Sequence, residues 1–285
     1  MRITELHHYP LKSGRGIALE AAEITATGIP GDRVMMVTDP KGQFLTQRDL
    51  QALAQVKAMP VDAAGKTTLA MDGHGSLDVR FETPDRRLDV VVWKSALSAA
   101  LAPEAVNATL SEWLERDVRL VFFDARAHRT ASVEWAGDNS PVTFADGYPL
   151  LITTTGSLAA LNADIAAHGE EPVGMDRFRP NIVIDHDAAW AEDDWAAIEI
   201  GGIRFDLVKP CARCIMTTQD QKTGSRAVPS PMPAMGRLRM SGDRRVPGPL
   251  FGWNAVPRGT GRLALGDTAR VLEDRAGGWT IKRRD

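Results

Sequence analysis

Residues 196–214 read A-A-I-E-I-G-G-I-R-F-D-L-V-K-P-C-A-R-C, a β-hairpin that ends in reactive chemistry. Apolar residues alternate with polar ones on both sides of Gly201-Gly202, which predicts two antiparallel strands joined by a tight turn. The second strand runs into Lys209-Pro210 and delivers the only two cysteines of the chain, Cys211 and Cys214, to its end. A strand end is a rigid platform with a loop edge, where reactive groups are commonly displayed. Lys209 and Arg213 flank the sulfurs, and nearby cations favour thiolate over thiol.

Outward from the hairpin the β signature continues. G-R-L-A-L-G-D-T-A-R-V-L-E predicts a closing pair of strands around Gly266-Asp267. Gly224 to Pro249 is rich in proline, methionine and arginine without a period, and reads as a long, partly mobile loop over one side of the site. Upstream, Trp190 and Trp195 read as packing anchors with the acids between them solvated. Arg177 and Arg179 lie two apart on a backbone read as extended, so they project from one face, where Asp176, Asp185 or a bound phosphate would offset their charge. Leu150 to Thr153 is a buried strand, followed by a helix that Ser157 caps and that carries Leu158, Leu161 and Ile165 at core spacing. The passage Thr153-Thr154-Thr155-Gly156 is a natural anion site, although a capped core helix needs no ligand.

The first hundred residues predict antiparallel β-structure, a barrel or curled sheet. Ile3 to Leu11 is β-favouring and breaks at Lys12-Ser13-Gly14-Arg15-Gly16, a loop whose free N–H groups and cation suit an anion, although a solvated turn with an exposed lysine is the favoured reading of these residues alone. Val34–Thr38 and Gln43–Thr46 read as a hairpin across Asp39-Pro40-Lys41-Gly42, with Arg33 at its start paired to Asp32. T-T-L-A-M, S-L-D-V-R-F and L-D-V-V-V-W are further strands, punctuated by D-G-H-G and T-P-D-R. Residues 49–55 predict a short surface helix and residues 103–116 a longer one. Asp124 to Pro141 is polar and turn-rich, a boundary or mobile loop in which His128 and Arg129 read as solvated. The expected fold is therefore mixed α+β, predominantly β, with domains at 1–124 and 125–285 and peripheral helices.

At 285 residues, with 44% hydrophobic and 25% charged residues, the chain has the composition of a folded protein. Its formal charge of -3 argues against a surface built for nucleic acid, while leaving room for a local basic pocket. The N-terminus lacks the apolar run of a signal peptide and no stretch has membrane-spanning length, so a cytoplasmic location without a membrane partner is expected.

Four readings of C-A-R-C compete. Zinc would need histidine partners, and the six histidines show no ligand pairing beyond adjacent His7-His8, whose side chains diverge on a strand. A thioredoxin-type dithiol would open a helix, whereas I-M-T-T-Q-D looks extended. Packing alone would suit Cys211. The fourth reading is a thiolate bound to a soft or redox-active metal centre, for which Cys214, directly after Arg213, is the better placed.

Y-P-L-K-S at 9–13, G-D-R at 31–33, R-F-R-P-N-I-V-I at 177–184, C-A-R-C-I-M-T-T-Q-D at 211–220, and L-F-G-W-N with G-R-L-A-L-G-D beyond them form an ordered set. Together they resemble MOSC proteins that carry a MOSC N-terminal β-barrel domain, in particular the mitochondrial amidoxime-reducing components and their bacterial relatives. The resemblance runs nearly end to end. It implies a β-barrel-like N-terminal domain followed by a MOSC β-barrel domain. It also implies a molybdenum cofactor (molybdopterin) and reduction of N-hydroxylated compounds such as amidoximes, hydroxylamines and N-hydroxylated bases.

By the same resemblance Cys214 is the metal ligand and catalytic residue. Lys12, Ser13, Arg33, Arg179 and Asn181 hold the pterin and its phosphate, and Asp146, Tyr148 and Arg213 complete the pocket. The cysteines of a plant-type iron–sulfur domain are absent, so electrons are expected from a separate ferredoxin-like or cytochrome b5-like protein and its reductase. The family also contains domains linked to cofactor sulfuration, which makes a cofactor-carrier or sulfur-transfer role for Cys214 the alternative. A family-level association with pyridoxal phosphate is implied as well.

Overall fold

In the computed structural model, which describes residues 1–81 and 86–282, the hairpin forms from Trp195–Ile200 and Ile203–Ala212. Gly201 and Gly202 turn it with φ of 58° and 77°, the conformation that a two-residue hairpin turn demands. Ile198, Ile200, Ile203, Phe205 and Leu207 are buried, so the alternation read from sequence is the alternation of core and surface. On its other side the cysteine strand pairs with Leu250–Pro257. That pairing slips between Leu207 and Lys209 and again between Pro210 and Ala212. Proline, which cannot donate to a ladder, sits at this irregularity, and bulges of this kind re-aim the residues beyond them.

The hairpin belongs to an eight-stranded sheet. From one edge its order is Ala269–Asp274, Trp195–Ile200, Ile203–Ala212, Leu250–Pro257, Leu150–Thr154, Ile182–Ile184, Ile3–His8 and Ile17–Leu19. Leu150–Thr154 and Ile182–Ile184 run parallel, which requires a crossover, and helix Thr155–Ala167 supplies it. A four-stranded sheet of Met35–Thr38, Arg119–Phe122, Ser95–Leu101 and Arg87–Val92 and a three-stranded one of Lys57–Ala58, Lys66–Met71 and Gly75–Arg80 build most of the first half. The fold is predominantly β with a few helices, as expected. Strand pairing crosses the division placed at residue 124, because Ile3–His8 lies against Ile182–Ile184 and Ala21–Ile24 against Gly261–Ala264.

Several local expectations change. The closing strands Gly261–Ala264 and Ala269–Asp274 do not pair with each other; they join Ala21–Ile24 and Trp195–Ile200. Of the hairpin expected over 34–46, Met35–Thr38 is a strand, but Gln43 and Phe44 make only isolated bridges. Residues 51–55 form a 3-10 turn whose Leu53 and Ala54 are fully buried, in place of a surface helix. Ser95–Leu101 is a strand that its alanines and serines did not announce; pairing on both sides makes it one. The expected loop at 224–249 contains helix Met232–Leu238, with Pro233 tolerated in its first turn, and Ala234 and Met235 pack with Leu161, Ile165 and Phe251. Of the T-P-D-R punctuation, Thr83, Pro84 and Asp85 lie outside the described residues.

The helix start is also rearranged. Thr154, not Ser157, caps Thr155–Ala167 by accepting the Ser157 N–H. The anion at this helix N-terminus is one of the protein's own carboxylates. Thr154 Oγ1 and Ser157 Oγ donate to Glu192 Oε2 at 2.8 and 2.7 Å. Glu192 and Asp193, expected in solvent, are buried, and Asp193 accepts from Arg239 at 2.6 Å and from the Trp253 indole at 2.9 Å.

Burial raises the Glu192 pKa above the ordinary glutamate value, against hydroxyl donors that favour the charged form. A raised carboxyl stabilises the fold fully below its unfolded pKa, and that contribution is lost as pH rises through the folded value. Urea midpoints of Glu192→Gln should therefore gain on wild type as pH rises from about 4 to 8. A constant difference across that range would show that folding leaves the Glu192 pKa unshifted.

Candidate functional site

All nine residues singled out in the sequence line one cleft, drawn from both halves of the chain. Lys12 and Ser13 follow strand Ile3–His8, Arg33 precedes Met35–Thr38, Asp146 and Tyr148 precede Leu150–Thr154, and Arg179 and Asn181 precede Ile182–Ile184. Arg213 and Cys214 leave the end of the hairpin. The strand ends face each other because Ile3–His8, Ile182–Ile184 and Leu150–Thr154 are consecutive in the large sheet.

Three of these residues, Ser13, Arg33 and Arg179, have left-handed backbone, with φ of 63°, 47° and 54°. Non-glycine residues in that region are uncommon and concentrate at functional sites. For Arg179 the turn overturns the extended reading. Met175–Phe178 is a 3-10 turn, so Arg177 and Arg179 diverge. Arg177 donates to Thr217 O and Pro229 O, whereas Arg179 donates to Gly14 O at 2.8 Å and to Gln221 Oε1 at 3.1 Å.

The cations are held chiefly by neutral groups. The Arg33 and Arg179 guanidiniums each lie 4.3 Å from the Tyr9 ring centroid. Tyr9 donates to Pro180 O at 3.0 Å, and burial pushes its hydroxyl up to about 12. Asp32, fully inside, pairs with Arg33 and accepts from Asn181 Nδ2 at 3.3 Å, while Asn181 Oδ1 accepts from Arg33 at 3.0 Å and from Leu151 N at 3.2 Å. The Asn181 amide is thus committed to protein partners, and it acts on the cleft by fixing Arg33. Tyr148 is half-buried, and its hydroxyl is also pushed up to about 12, by burial and by Glu134.

Lys12 is buried, donates to Phe144 O at 2.9 Å and pairs with Asp146. Burial lowers its pKa, and Asp146 opposes that shift. At Asp146 desolvation by the cleft walls works against the charge, but Lys12 outweighs it and holds the carboxyl below the ordinary range, although 67% of the side chain is open to the cleft. Two further residues support the cleft from behind. Arg129, read as solvated, donates to the carbonyls of Thr143, Ala145 and Asp146 and so shapes that loop. Gln47, fully buried, donates to Ser13 O at 2.9 Å and meets Gln221. Neither lies in a motif; only their position between loops distant in sequence marks them.

The two sulfurs differ. Arg213 Nη1 points at Cys211 Sγ, 2.9 Å away, and its Nη2 donates to Phe178 O at 2.7 Å, while its Nε is buried without a hydrogen-bond partner. Proximity to Arg213, the reason for preferring Cys214, therefore falls on Cys211. Cys214 is exposed, and a 3-10 turn at Ile215–Thr218, read from sequence as extended, begins at its carbonyl. Among the described residues no group of three or more His, Cys, Asp or Glu side chains could hold a metal ion by itself, and no helix is long and apolar enough to cross a membrane.

Residues 1–117 match the family model of the MOSC N-terminal beta barrel domain, and residues 139–270 match that of the MOSC domain. The chain belongs to the MOSC family. This MOSC protein is 27% identical over 280 residues to mitochondrial amidoxime-reducing component 1 of Danio rerio, covering 93% of this chain and 83% of that one. It is 28% identical over 284 residues to the Homo sapiens protein of the same name, covering 95% and 82%. Molybdenum cofactor sulfurase of Homo sapiens is 27% identical over 241 residues, which is 79% of the MOSC chain but 27% of the sulfurase.

A depressed carboxyl stabilises the fold fully above its unfolded pKa, and that contribution is lost as pH falls through the folded value. In Lys12→Met, carbon-13 spectra should find Asp146 titrating within or above the ordinary carboxylate range, with acid unfolding at higher pH than in wild type. An Asp146 that stays low without Lys12 would assign its shift to other donors.

Proposed function

We propose that this MOSC protein is a molybdenum-cofactor-dependent oxidoreductase that reduces N-hydroxylated compounds with electrons from a separate redox protein. One observation carries the reading: Lys12, Arg33, Arg179 and Arg213 converge with an exposed thiol on a cleft, and they outnumber the carboxylates paired with them, Asp146 in the cleft and Asp32 buried behind it. An anionic pterin phosphate fits that imbalance, and the orphaned Arg213 Nε fits an acceptor not contributed by the protein. The exposed sulfur of Cys214 suits a soft metal, whereas Cys211 is already engaged by Arg213. When bound, the cofactor supplies the two-electron chemistry.

The chain's part is orientation and charge. Arg33 and Arg179, locked by Tyr9 and Asp32, would grip the phosphate without reorganising, and Ser13 would present its backbone to it. Reduction of an N–OH group breaks the N–O bond, takes up two electrons and two protons, and releases water. Lys12 is the protonated partner of Asp146 in the cleft and can hold one of those protons. The donor is expected to be ferredoxin-like or cytochrome b5-like with its reductase, in the cytoplasmic setting read from the sequence. Among the described residues Lys12 is the one lysine lining the cleft.

A second reading, a cofactor carrier or sulfur-transfer protein, is favoured by one fact: Cys211 lines the same cleft as Cys214, giving two sulfurs at one site. The readings separate by metal analysis of protein made in a cofactor-producing host, followed by benzamidoxime reduction with reduced viologen. Wild type should hold molybdenum and turn over. Cys214→Ser should lose both, and Cys211→Ala should keep much of each. Molybdenum without reduction would favour the carrier, and equal molybdenum in wild type and Cys214→Ser would sink the ligand assignment.

A further inference from the structure

Trp93 sits in an unusual place. It takes the first position of the two-residue turn between Arg87–Val92 and Ser95–Leu101, with φ of 57°. That conformation favours glycine and strains a bulky side chain. The residue is also 43% exposed. Three contacts nevertheless fix the ring. Its Nε1 donates to Asp146 Oδ1 at 3.2 Å, the Arg48 guanidinium carbon lies 4.8 Å from its centroid, and Phe44 packs tilted at 5.2 Å.

These contacts tie the indole to the cleft. Asp146 lines the site, as does Thr46, two residues before Arg48. The Arg48 Nε is buried without a hydrogen-bond partner among the described residues, so the guanidinium is placed against the ring without that bond. Turn geometry alone would be served by glycine, and core packing alone would cover the ring. A strained, exposed indole anchored by the site's own carboxylate is instead suited to contacting what enters. Flat rings pack against an indole and a guanidinium through offset stacking and cation–π attraction.

We propose that Trp93 and Arg48 form the outer wall of the cleft and select N-hydroxylated substrates in which a flat aromatic ring is attached to the group that bears the N–OH. The proposal rests on the reductase reading and adds the class of substrate. Small aliphatic N-hydroxylated compounds would enter without touching this wall.

The test compares cofactor-loaded wild type, Trp93→Gly and Trp93→Phe. With reduced viologen as donor, the ratio of kcat/KM for benzamidoxime to that for acetamidoxime should fall about tenfold in Trp93→Gly, through KM. Trp93→Phe, which keeps a ring, should retain most of the ratio. Calorimetric Kd for benzamidoxime should weaken in the same order, while thermal stability of Trp93→Gly stays equal or rises, since glycine relieves the turn. An unchanged ratio and an unchanged Kd in Trp93→Gly would overturn the wall. Should wild type reduce neither amidoxime, the reductase reading fails, and calorimetry decides alone: weaker benzamidoxime binding in Trp93→Gly supports the wall, and equal or absent binding overturns it.

Discussion

The buried carboxylate of Asp32 is the constraint on which the site depends. It accepts the Tyr9 N–H at 2.8 Å, takes the Asn181 amide and pairs with Arg33, and so joins three loops from two halves of the chain. An unpaired charge so deep would be strongly unfavourable, and the pairing is therefore obligatory. Once Arg33 is fixed, Tyr9 has a cation against its ring and Arg179 completes the pair. The cluster stays rich in positive charge because Arg179 leans on a ring and a carbonyl, which cannot cancel it, while Asp32 and Asp146 are taken by Arg33 and Lys12.

Much of the fold was legible. The two-residue glycine turn, the alternating strands and the periodic core helices each have a local cause that can be read from neighbouring residues. The errors share another cause. Glu192 and Asp193 look solvated in a run of acids, yet two hydroxyls, an arginine and an indole from three distant segments make their burial possible. Ser95–Leu101 has weak intrinsic β-preference and becomes a strand through its neighbours. Met232–Leu238 hid behind prolines that mark the start of the helix.

The site was legible in a different sense. Lys12, Arg33 and Arg179 each favour a plain reading when taken alone, a solvated turn or a cation paired within the protein, and only their joint appearance in one ordered resemblance singles them out. What the sequence could not carry was direction. Arg213 turns to Cys211 because the strand slips register around Pro210, a shift that depends on the partner strand Leu250–Pro257. Arg129 and Gln47 stayed hidden for the same reason, since each acts through backbone carbonyls whose positions are set elsewhere.

The pairing of Ile3–His8 with Ile182–Ile184 also bears on biosynthesis. Ile3 pairs with Ile184, so this strand emerges from the ribosome long before its partner. At about 5–20 residues per second the delay is on the order of 10–40 s. Throughout that interval the strand is an open β edge, a template for association with other nascent chains. Glu5 and His7, both only partly buried, place polar groups along the strand while it waits. The large sheet can close only when most of the chain has been made, so a ribosome that stalls before residue 184 leaves this strand paired with Ile17–Leu19 on one side and open to aggregation on the other.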